Sequence, residues 1–217
     1  MKLVVATRNI NKLEEIKAIL KVTDWEITAL SEIDRSFEIV EDGKTFEENA
    51  QKKAVIVMEK FGFITLGEDT GLEVDVLKGQ PGIYSARYAG PDATYEQNRV
   101  KLLKALKSVP DAKRTARFRC VCVLAFPKIF NRTIEIFEGI CEGKITEKPF
   151  GTGGFGYDPI FIPRGYNKTF AELSPDEKNK ISHRGKVLLK VKVFLKKHNN
   201  MPKEGVEPSC PFRGGGF

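Results

Sequence analysis

Apolar positions recur along the chain with two different periods, which predict strands and helices mixed along the sequence. Short apolar runs bounded by polar or glycine-containing segments predict strands. Five such strands are predicted over residues 3–6, 63–66, 72–77, 117–126 and 133–141. A polar loop follows the first strand, and apolar residues spaced by three and four then predict a helix over residues 12–21. Because helices and strands are intermixed, an α/β fold with a mixed sheet is favoured.

Three further helices are predicted from the residues that begin them. Thr45, Thr94 and Ser174 can each accept a hydrogen bond at a helix N-terminus, and a Glu or Gln stands three positions after each of them. The first of these helices should extend to about residue 60. A last helix is predicted over residues 184–197, because its apolar residues fall on one stripe and its lysines lie mainly opposite.

Length and composition predict a single globular domain. A chain of 217 residues with 41% hydrophobic composition can bury a sizeable core. Residues 1–198 contain no repeat and no low-complexity linker, so they are expected to form one domain, folded as two lobes around a cleft. Residues 199–217 are rich in Pro and Gly and have no apolar period, which predicts a disordered tail.

The apolar segments are short, which predicts a cytoplasmic protein that does not enter a membrane. No run of about twenty apolar residues is present, and the first residues become polar too soon for a signal peptide. In that compartment the cysteines should stay reduced. Cys120 and Cys122 lie two residues apart on one predicted strand, so we expect core packing rather than a zinc site.

The net charge of +7, from 36 basic and 29 acidic residues, suits an anionic partner without identifying it. Much of the excess lies in residues 184–197, which include six basic residues and no acidic ones. A solvated helix face explains this pattern, and so does a patch that binds nucleic acid.

The loop after the first strand is a candidate phosphate site. It leads into a helix N-terminus, where free backbone N–H groups and the positive end of the helix dipole favour an anion. It lacks the Gly-Lys-Ser/Thr pattern of a P-loop, so an ordinary polar connection is also consistent with it. Its residues are Thr7, Arg8, Asn9, Ile10, Asn11 and Lys12.

Two acidic segments, 41–43 and 68–71, are predicted to lie at the ends of secondary-structure elements. Magnesium prefers hard oxygen ligands and is usually held by one or two carboxylates together with waters and substrate phosphates. Two such segments that meet in a cleft can therefore bind Mg2+, although acidic turns are also common for structural reasons alone. On the helix between them, Asn49 and Lys53 share one face, so the lysine can point toward the same cleft.

The glycine-rich segment 151–156 formally matches the dinucleotide fingerprint Gly-x-Gly-x-x-Gly. That fingerprint must open a helix, and Pro159 and Pro163 exclude a regular helix here, so a Rossmann fold is excluded. The remaining interpretations are a glycine loop whose Phe155 and Tyr157 stack on a base, or a tight turn with buried aromatic rings.

Three further polar residues follow the Ser174 cap: Lys178, His183 and Arg184. A neighbouring His and Arg can donate hydrogen bonds to the carbonyl oxygens of a base, and the planar guanidinium suits a purine edge. A single His is more often structural than catalytic, so both roles are open for His183.

Taken together and in this order, these segments resemble the inosine triphosphate pyrophosphatases, also called XTP/dITP diphosphatases. The resemblance extends from Leu3 to about Lys197. It rests on residues 6–9 with Lys12, 41–50 with Lys53, 68–72, 81–88, 151–159 and 182–184.

The resemblance implies a fold and a set of residue roles. The implied fold is an elongated α/β structure with a long mixed sheet, two lobes with the nucleotide in the cleft between them, and usually a homodimer. Glu41 and Asp69 would bind Mg2+, and Asp69 would also be the catalytic proton acceptor. The substrate-binding residues would be Thr7, Arg8, Asn9, Ile10, Asn11, Lys12, Lys53, Thr70, Phe155, Gly156, Tyr157, Asp158, Lys178, His183 and Arg184.

The implied reaction is Mg2+-dependent hydrolysis of deaminated purine nucleoside triphosphates (ITP, dITP and XTP) to the monophosphate and pyrophosphate. It would keep such purines out of DNA and RNA. Two alternatives are retained: a related pyrophosphatase for pyrimidine or modified triphosphates, and a nucleic-acid-binding module that uses the basic last helix. The enzyme interpretation expects a small-molecule substrate, with neither nucleic acid nor membrane as a partner.

Overall fold

The structure is a computed structural model that describes residues 1–21, 25–130 and 133–198. It contains a six-stranded mixed sheet in the order β2-β1-β3-β4-β5-β6. The strands are β1 Lys2–Val5, β2 Glu26–Ala29, β3 Ile64–Val74, β4 Thr115–Ala125, β5 Ile134–Ile145 and β6 Phe161–Pro163. The helices are α1 Ile10–Leu20, α2 Leu30–Ile33, α3 Phe46–Phe61, α4 Tyr95–Ala105, α5 Pro175–Ile181 and α6 His183–Lys197.

The sheet combines parallel and antiparallel pairing, as the intermixed pattern predicts. Strand β1 lies parallel to β2 and β3, whereas β3, β4, β5 and β6 pair antiparallel in succession. The predicted α/β class with a mixed sheet flanked by helices is confirmed. The predicted tail over residues 199–217 lies outside the described residues.

The predicted helix caps at Thr45, Thr94 and Ser174 are all present, and each side chain accepts the backbone N–H three residues later. Helix α1 begins at Ile10, two residues earlier than the apolar spacing predicts. The reason is Asn9, whose side chain accepts hydrogen bonds from the N–H groups of Asn11 and Lys12 and so starts the helix sooner.

One prediction is wrong at the centre of the sheet. Residues 63–66 and 72–77 were expected to be separate strands joined by an acidic loop, but β3 is continuous from Ile64 to Val74. Glu68 and Asp69 therefore lie inside a strand and not at its end. Gly67 interrupts the apolar pattern because α3 passes so close that a Cβ there would lie 2.1 Å from the carbonyl oxygen of Ala50.

Among the described residues, the two largest hydrophobic cores occupy opposite halves of the long strands, and two smaller clusters pack around α3 and α2. One core combines α1 and α6 with the half of β3 that contains Ile64 and Leu66. The other combines α4 and the segment after β5 with the half of β3 that contains Leu72 and Val74. Cys120 and Cys122 are fully buried in the first core, as their spacing predicts.

Helix α6 buries the predicted apolar stripe, with Val187, Leu188, Val191 and Leu195 fully inaccessible. Arg184 belongs to the same buried side and is only 1% exposed. None of the described helices has the length and apolar character that crossing a bilayer requires.

Candidate active site

A cleft of about 290 Å³ lies at the end of β1, lined by the loop after β1 and by residues of α3, β3 and the segments 83–87 and 155–158. Its location follows from strand lengths: β1 ends at Val5, opposite Leu66, while β3 continues for eight more residues. The loop after β1 therefore leaves the sheet beside Glu68 and Asp69. Because successive strand residues point to opposite faces, these two carboxylates lie on opposite faces of the sheet, and of the two it is Asp69 that lines the cleft.

Fifteen of the seventeen sequence-predicted site residues line this cleft. They are Thr7, Arg8, Asn9, Lys12, Glu41, Lys53, Asp69, Thr70, Phe155, Gly156, Tyr157, Asp158, Lys178, His183 and Arg184. Ile10 and Asn11 do not line it, and Ile10 is 61% exposed.

The candidate phosphate loop combines basic side chains with a capped helix start. Asn9 accepts the N–H groups of Asn11 and Lys12 at 3.1 and 3.3 Å, so these two donors are already satisfied. Lys12 reaches into the cleft, with its Nζ 3.7 Å from a carboxylate oxygen of Glu68. Arg8 instead turns outward to the exposed Glu38 at 2.9 Å. Lys12 is thus the cation of this loop that is best located for an anionic ligand.

Glu41 and Asp69 converge on one point beside α3. The ammonium group of Lys53 lies 2.7 Å from Glu41 Oε2 and 3.4 Å from Asp69 Oδ1. The second oxygen of Asp69 accepts a hydrogen bond from Asn49 at 3.2 Å. The predicted shared face of Asn49 and Lys53 on α3 therefore points at Asp69.

Burial and neighbouring charges shift the pKa values of Asp69 and Lys53 in opposite directions. Burial raises the pKa of Asp69 above its usual value of 3.8, although Lys53 and Lys12 oppose the shift. For Lys53, burial lowers the pKa, but the carboxylates of Asp69 and Glu41 outweigh it and leave the pKa above its usual value of 10.5. Asp69 is thus more basic than an ordinary aspartate, which suits a proton acceptor.

Glu68 points away from Asp69 and pairs with Arg184. Its Oε1 accepts hydrogen bonds from the Arg184 Nε and Nη2 at 3.2 and 2.8 Å and from the Thr70 hydroxyl at 2.5 Å. Burial opposes the ionisation of Glu68, yet Arg184 and Lys12 hold its pKa well below 4.5. Glu68 is therefore a buried anion that orients Arg184.

Glu15 of α1 joins Lys178 and Arg184 at the end of the cleft that holds Phe155. Its carboxylate lies 2.7 Å from Lys178 Nζ and 2.6 Å from Arg184 Nη1. Lys178 also contacts Asp158 at 2.7 Å and is only 5% exposed. The contacts of Arg184 with Glu15 and Glu68 use three of the five guanidinium N–H donors, so two are left for a ligand.

Glu15→Gln is expected to lower the free energy of unfolding at pH 7 by about 1.5–3 kcal/mol, the usual range for hydrogen bonds to charged groups. Burial opposes ionisation, but Arg184 and Lys178 keep the pKa of Glu15 below 4.5 in the folded state. Its stabilisation is therefore complete above pH 4.5 and is lost as the pH falls through the lowered pKa.

Urea unfolding of both proteins between pH 3 and pH 7 checks this expectation. The neighbouring Glu14 is exposed, so Glu14→Gln is the matched control and should leave the curves nearly unchanged. A difference between wild type and Glu15→Gln that does not shrink toward low pH would contradict the assignment.

The glycine segment forms a turn and not a helix, in agreement with the exclusion of a Rossmann fold. Gly154 has a φ of 67°, and a Cβ there would lie 2.2 Å from Asp158 Oδ2. Asp158 accepts the Phe155 N–H at 2.8 Å and so fixes the loop. The Phe155 ring faces Lys178 and Arg184 at 4.9 and 5.5 Å.

Tyr157 and His183 line the cleft, but their rings are packed in the protein. The Tyr157 hydroxyl donates to the Ser85 carbonyl at 2.9 Å. His183 stacks on Phe118 with ring centroids 4.5 Å apart. Burial, with the charges of Arg184 and Lys178, lowers the pKa of His183 well below 6.5, so its ring is neutral.

Among the residues of the site that sequence reasoning missed, three have polar groups beside the predicted residues. Glu15 lies behind Lys178 and Arg184, and Tyr95 and Arg87 line the cleft itself. Tyr95 accepts a hydrogen bond from the Asn9 side chain at 3.1 Å and lies 6.0 Å from the Phe155 ring. Arg87 belongs to the segment 81–88, which contributes to the family resemblance but contains no residue to which the sequence analysis gave a role.

The protein has a mixed α/β sheet and a cleft in which carboxylates lie among several cations. These features are typical of proteins that bind phosphate-bearing ligands. Residues 3–194 match the family model described as the Ham1 family, and the chain belongs to this family.

Relatives and solved structures cover nearly the same length. The chain is 48% identical over 195 residues to a dITP/XTP pyrophosphatase of Desulforamulus reducens, covering 90% of this chain and 96% of that protein. It is 45% identical over 192 residues to a dITP/XTP pyrophosphatase of Bacillus subtilis, covering 88% and 96%. The solved structure of a HAM1 protein from Coxiella burnetii is 38% identical with a TM-score of 0.82, covering 91% and 99%.

Proposed function

We propose that this protein is a nucleoside triphosphate pyrophosphatase that hydrolyses dITP, ITP and XTP to the monophosphate and pyrophosphate. The observation that carries this proposal is the arrangement of the cleft. The Glu41 and Asp69 carboxylates meet beside Lys53, and the same cleft is lined by Phe155 with Lys178 and Arg184 over its ring, a group suited to a base. The relatives named dITP/XTP pyrophosphatase, similar over about nine-tenths of the chain, support the same substrates.

The donor set fits Mg2+ bound together with a nucleotide. Glu41 and Asp69 both have an oxygen near one cation, the Lys53 ammonium, so the two carboxylates can share a positive charge. Within the described ranges, no three His, Cys, Asp or Glu residues cluster as a metal cage. Two carboxylates leave positions for water and phosphate oxygens, which is how proteins usually hold Mg2+. When bound, the ion would neutralise charge on the phosphates and on the leaving pyrophosphate.

The remaining chemistry belongs to the side chains of the cleft. Asp69, with its raised pKa, accepts the proton of the water that attacks the α-phosphorus. Lys12 and Lys53 stabilise the negative charge that develops as the bond to pyrophosphate breaks. Thr70, Asn9 and Thr7 complete the polar lining around the phosphates.

Base selectivity follows from donors that are held in place. Arg184 is fixed by Glu15 and Glu68 and retains two N–H donors, which suit the 6-oxo group of hypoxanthine or xanthine. Adenine carries an amino group at that position, so these donors would lose their partner, at a cost of about 1–3 kcal/mol. Phe155 supplies the ring on which the base stacks.

The wider proposal is a cytoplasmic homodimer that removes deaminated purine nucleotides from the precursor pool and binds neither nucleic acid nor membrane. The nucleic-acid alternative loses one of its cations, because Arg184 is buried and pairs with Glu68. Two lysines of α6, Lys186 and Lys190, donate to carbonyl oxygens of β5 at 2.8 and 2.7 Å, which supports the explanation of a solvated structural face.

Pyrophosphate release from ITP, dITP, XTP, GTP, ATP and dTTP tests the function, with Mg2+ and again after EDTA. We expect turnover of the first three, little of the others, and loss of turnover in EDTA that added Mg2+ restores. Equal turnover of dTTP would favour the pyrimidine alternative. No release from any triphosphate, combined with salt-sensitive binding to DNA or RNA, would overturn the proposal in favour of the nucleic-acid-binding module.

A further inference from the structure

Arg87 is a basic residue of the cleft that has no role in the reaction proposed above. It ends a short 3-10 helical segment, Gly82–Arg87, and lines the cleft together with Glu41, Lys53 and Asp69. It lies in residues 81–88, one of the segments on which the family resemblance rests.

Charge pairing distinguishes Arg87 from the other basic residues of the cleft. Lys12, Lys53, Lys178 and Arg184 each lie within 4 Å of at least one carboxylate, and Arg8 pairs with Glu38. Arg87 has no carboxylate partner among the residues that the structure describes. It is therefore the cleft cation whose charge is left for a ligand.

The backbone that carries Arg87 is held firmly in place. Asn98, 1% exposed, donates to the Ala86 carbonyl at 2.9 Å and accepts the Ala89 N–H at 2.7 Å. Ser85 accepts the N–H of Leu72 in β3 at 2.9 Å. The segment is thus anchored to α4 and to the strand that carries Asp69.

The end of the Arg87 side chain is held much less firmly than its backbone. Its guanidinium donates one long hydrogen bond of 3.4 Å to the carbonyl oxygen of Glu41 and lies 5.3 Å from the Tyr84 ring. Most of its N–H donors remain for other partners. A fixed backbone with a lightly restrained guanidinium suits the bidentate binding of a phosphate.

We propose that Arg87 binds the terminal phosphates of the substrate, the part that leaves as pyrophosphate. Its contact with Glu41 locates it at the metal end of the cleft, whereas the base subsite is formed by Phe155, Lys178 and Arg184. This inference rests on the proposed function. In the reaction, water bonds to the α-phosphorus and gives its proton to Asp69, the bond to the bridging oxygen breaks, and Arg87 stabilises the charge gained by the leaving pyrophosphate.

Calorimetric binding of Mg2+-pyrophosphate and of inosine monophosphate to wild type, Arg87→Gln and Arg87→Lys tests the assignment. We expect Arg87→Gln to bind pyrophosphate about ten- to a hundredfold more weakly, the effect of one lost charged hydrogen-bonded pair, with unchanged monophosphate binding. Arg87→Lys should recover part of the loss. Lys107→Gln removes an exposed charge outside the cleft lining and should change neither affinity.

A Mg2+ titration of activity separates phosphate binding from an indirect effect through Glu41. If Arg87 only holds the Glu41 loop, saturating Mg2+ should restore the activity of Arg87→Gln, and the inference would be overturned. Equal pyrophosphate affinity in Arg87→Gln and wild type would overturn it as well. A wild type that neither binds pyrophosphate nor hydrolyses ITP would instead overturn the proposed function.

Discussion

Asp69→Asn is expected to lower the turnover of ITP by about a thousandfold or more. The change keeps the shape of the side chain but removes both the proton acceptor and one of the two carboxylates proposed for Mg2+. General-base catalysis alone contributes about 100- to 10,000-fold. Steady-state pyrophosphate release at saturating ITP and Mg2+ measures the effect.

The same variant should unfold at a temperature at least as high as that of the wild type. Burial raises the pKa of Asp69, so its ionised form destabilises the folded protein at neutral pH, and a neutral amide removes this cost. Asp92→Asn is a matched control at an exposed position and should change neither property. More than a tenth of wild-type turnover in Asp69→Asn would contradict the assigned role.

Arg184→Met is expected to lower the free energy of unfolding by about 3–5 kcal/mol, the usual effect of removing one partner of a buried ion pair. Glu68 is 2% exposed and Arg184 is 1% exposed, so water cannot compensate the lost contact. Urea denaturation at pH 7 measures the change. Lys17→Met breaks the exposed pair with Glu32 and should cost less than about 1 kcal/mol.

The double variant Glu68→Gln/Arg184→Met tests the cause of that loss. If the unpaired Glu68 carboxylate is responsible, removing its charge should recover at least half of the lost stability. Selectivity for ITP over ATP should be low in both variants, because both lack the proposed Arg184 donors. A double variant that is less stable than Arg184→Met would show that the loss comes from packing around the long Arg184 side chain.

The strand at the centre of the sheet shows where sequence patterns stop being informative. Gly67, Glu68, Asp69 and Gly71 have the composition of a turn, and the apolar period breaks across them. They stay in β3 because α3 approaches Gly67 and because Arg184 and Lys53 compensate the two carboxylates. These partners are distant in sequence, so no local pattern reveals them.

The lining of the cleft could be predicted where its residues lie in distinctive segments of the sequence, but not where a residue stands out only through its ion-pair partners. The loop after β1, the carboxylates and the aromatic glycine turn lie in distinctive segments. Glu15 looks like any exposed helix residue until Lys178 and Arg184 are seen beside it. Arg87 stands out only after the other cations are found to be paired.

The continuity of β3 and β4 also limits how the protein can move around its ligand. Both strands are eleven residues long and supply side chains to both cores, so no flexible connection separates the lobes along them. A hinge that swings one lobe against the other would have to bend a hydrogen-bonded ladder of ten residue pairs. We therefore expect any closure over a ligand to involve peripheral groups, such as the Tyr95–Asn9 contact and the glycine turn, rather than a bend in β3.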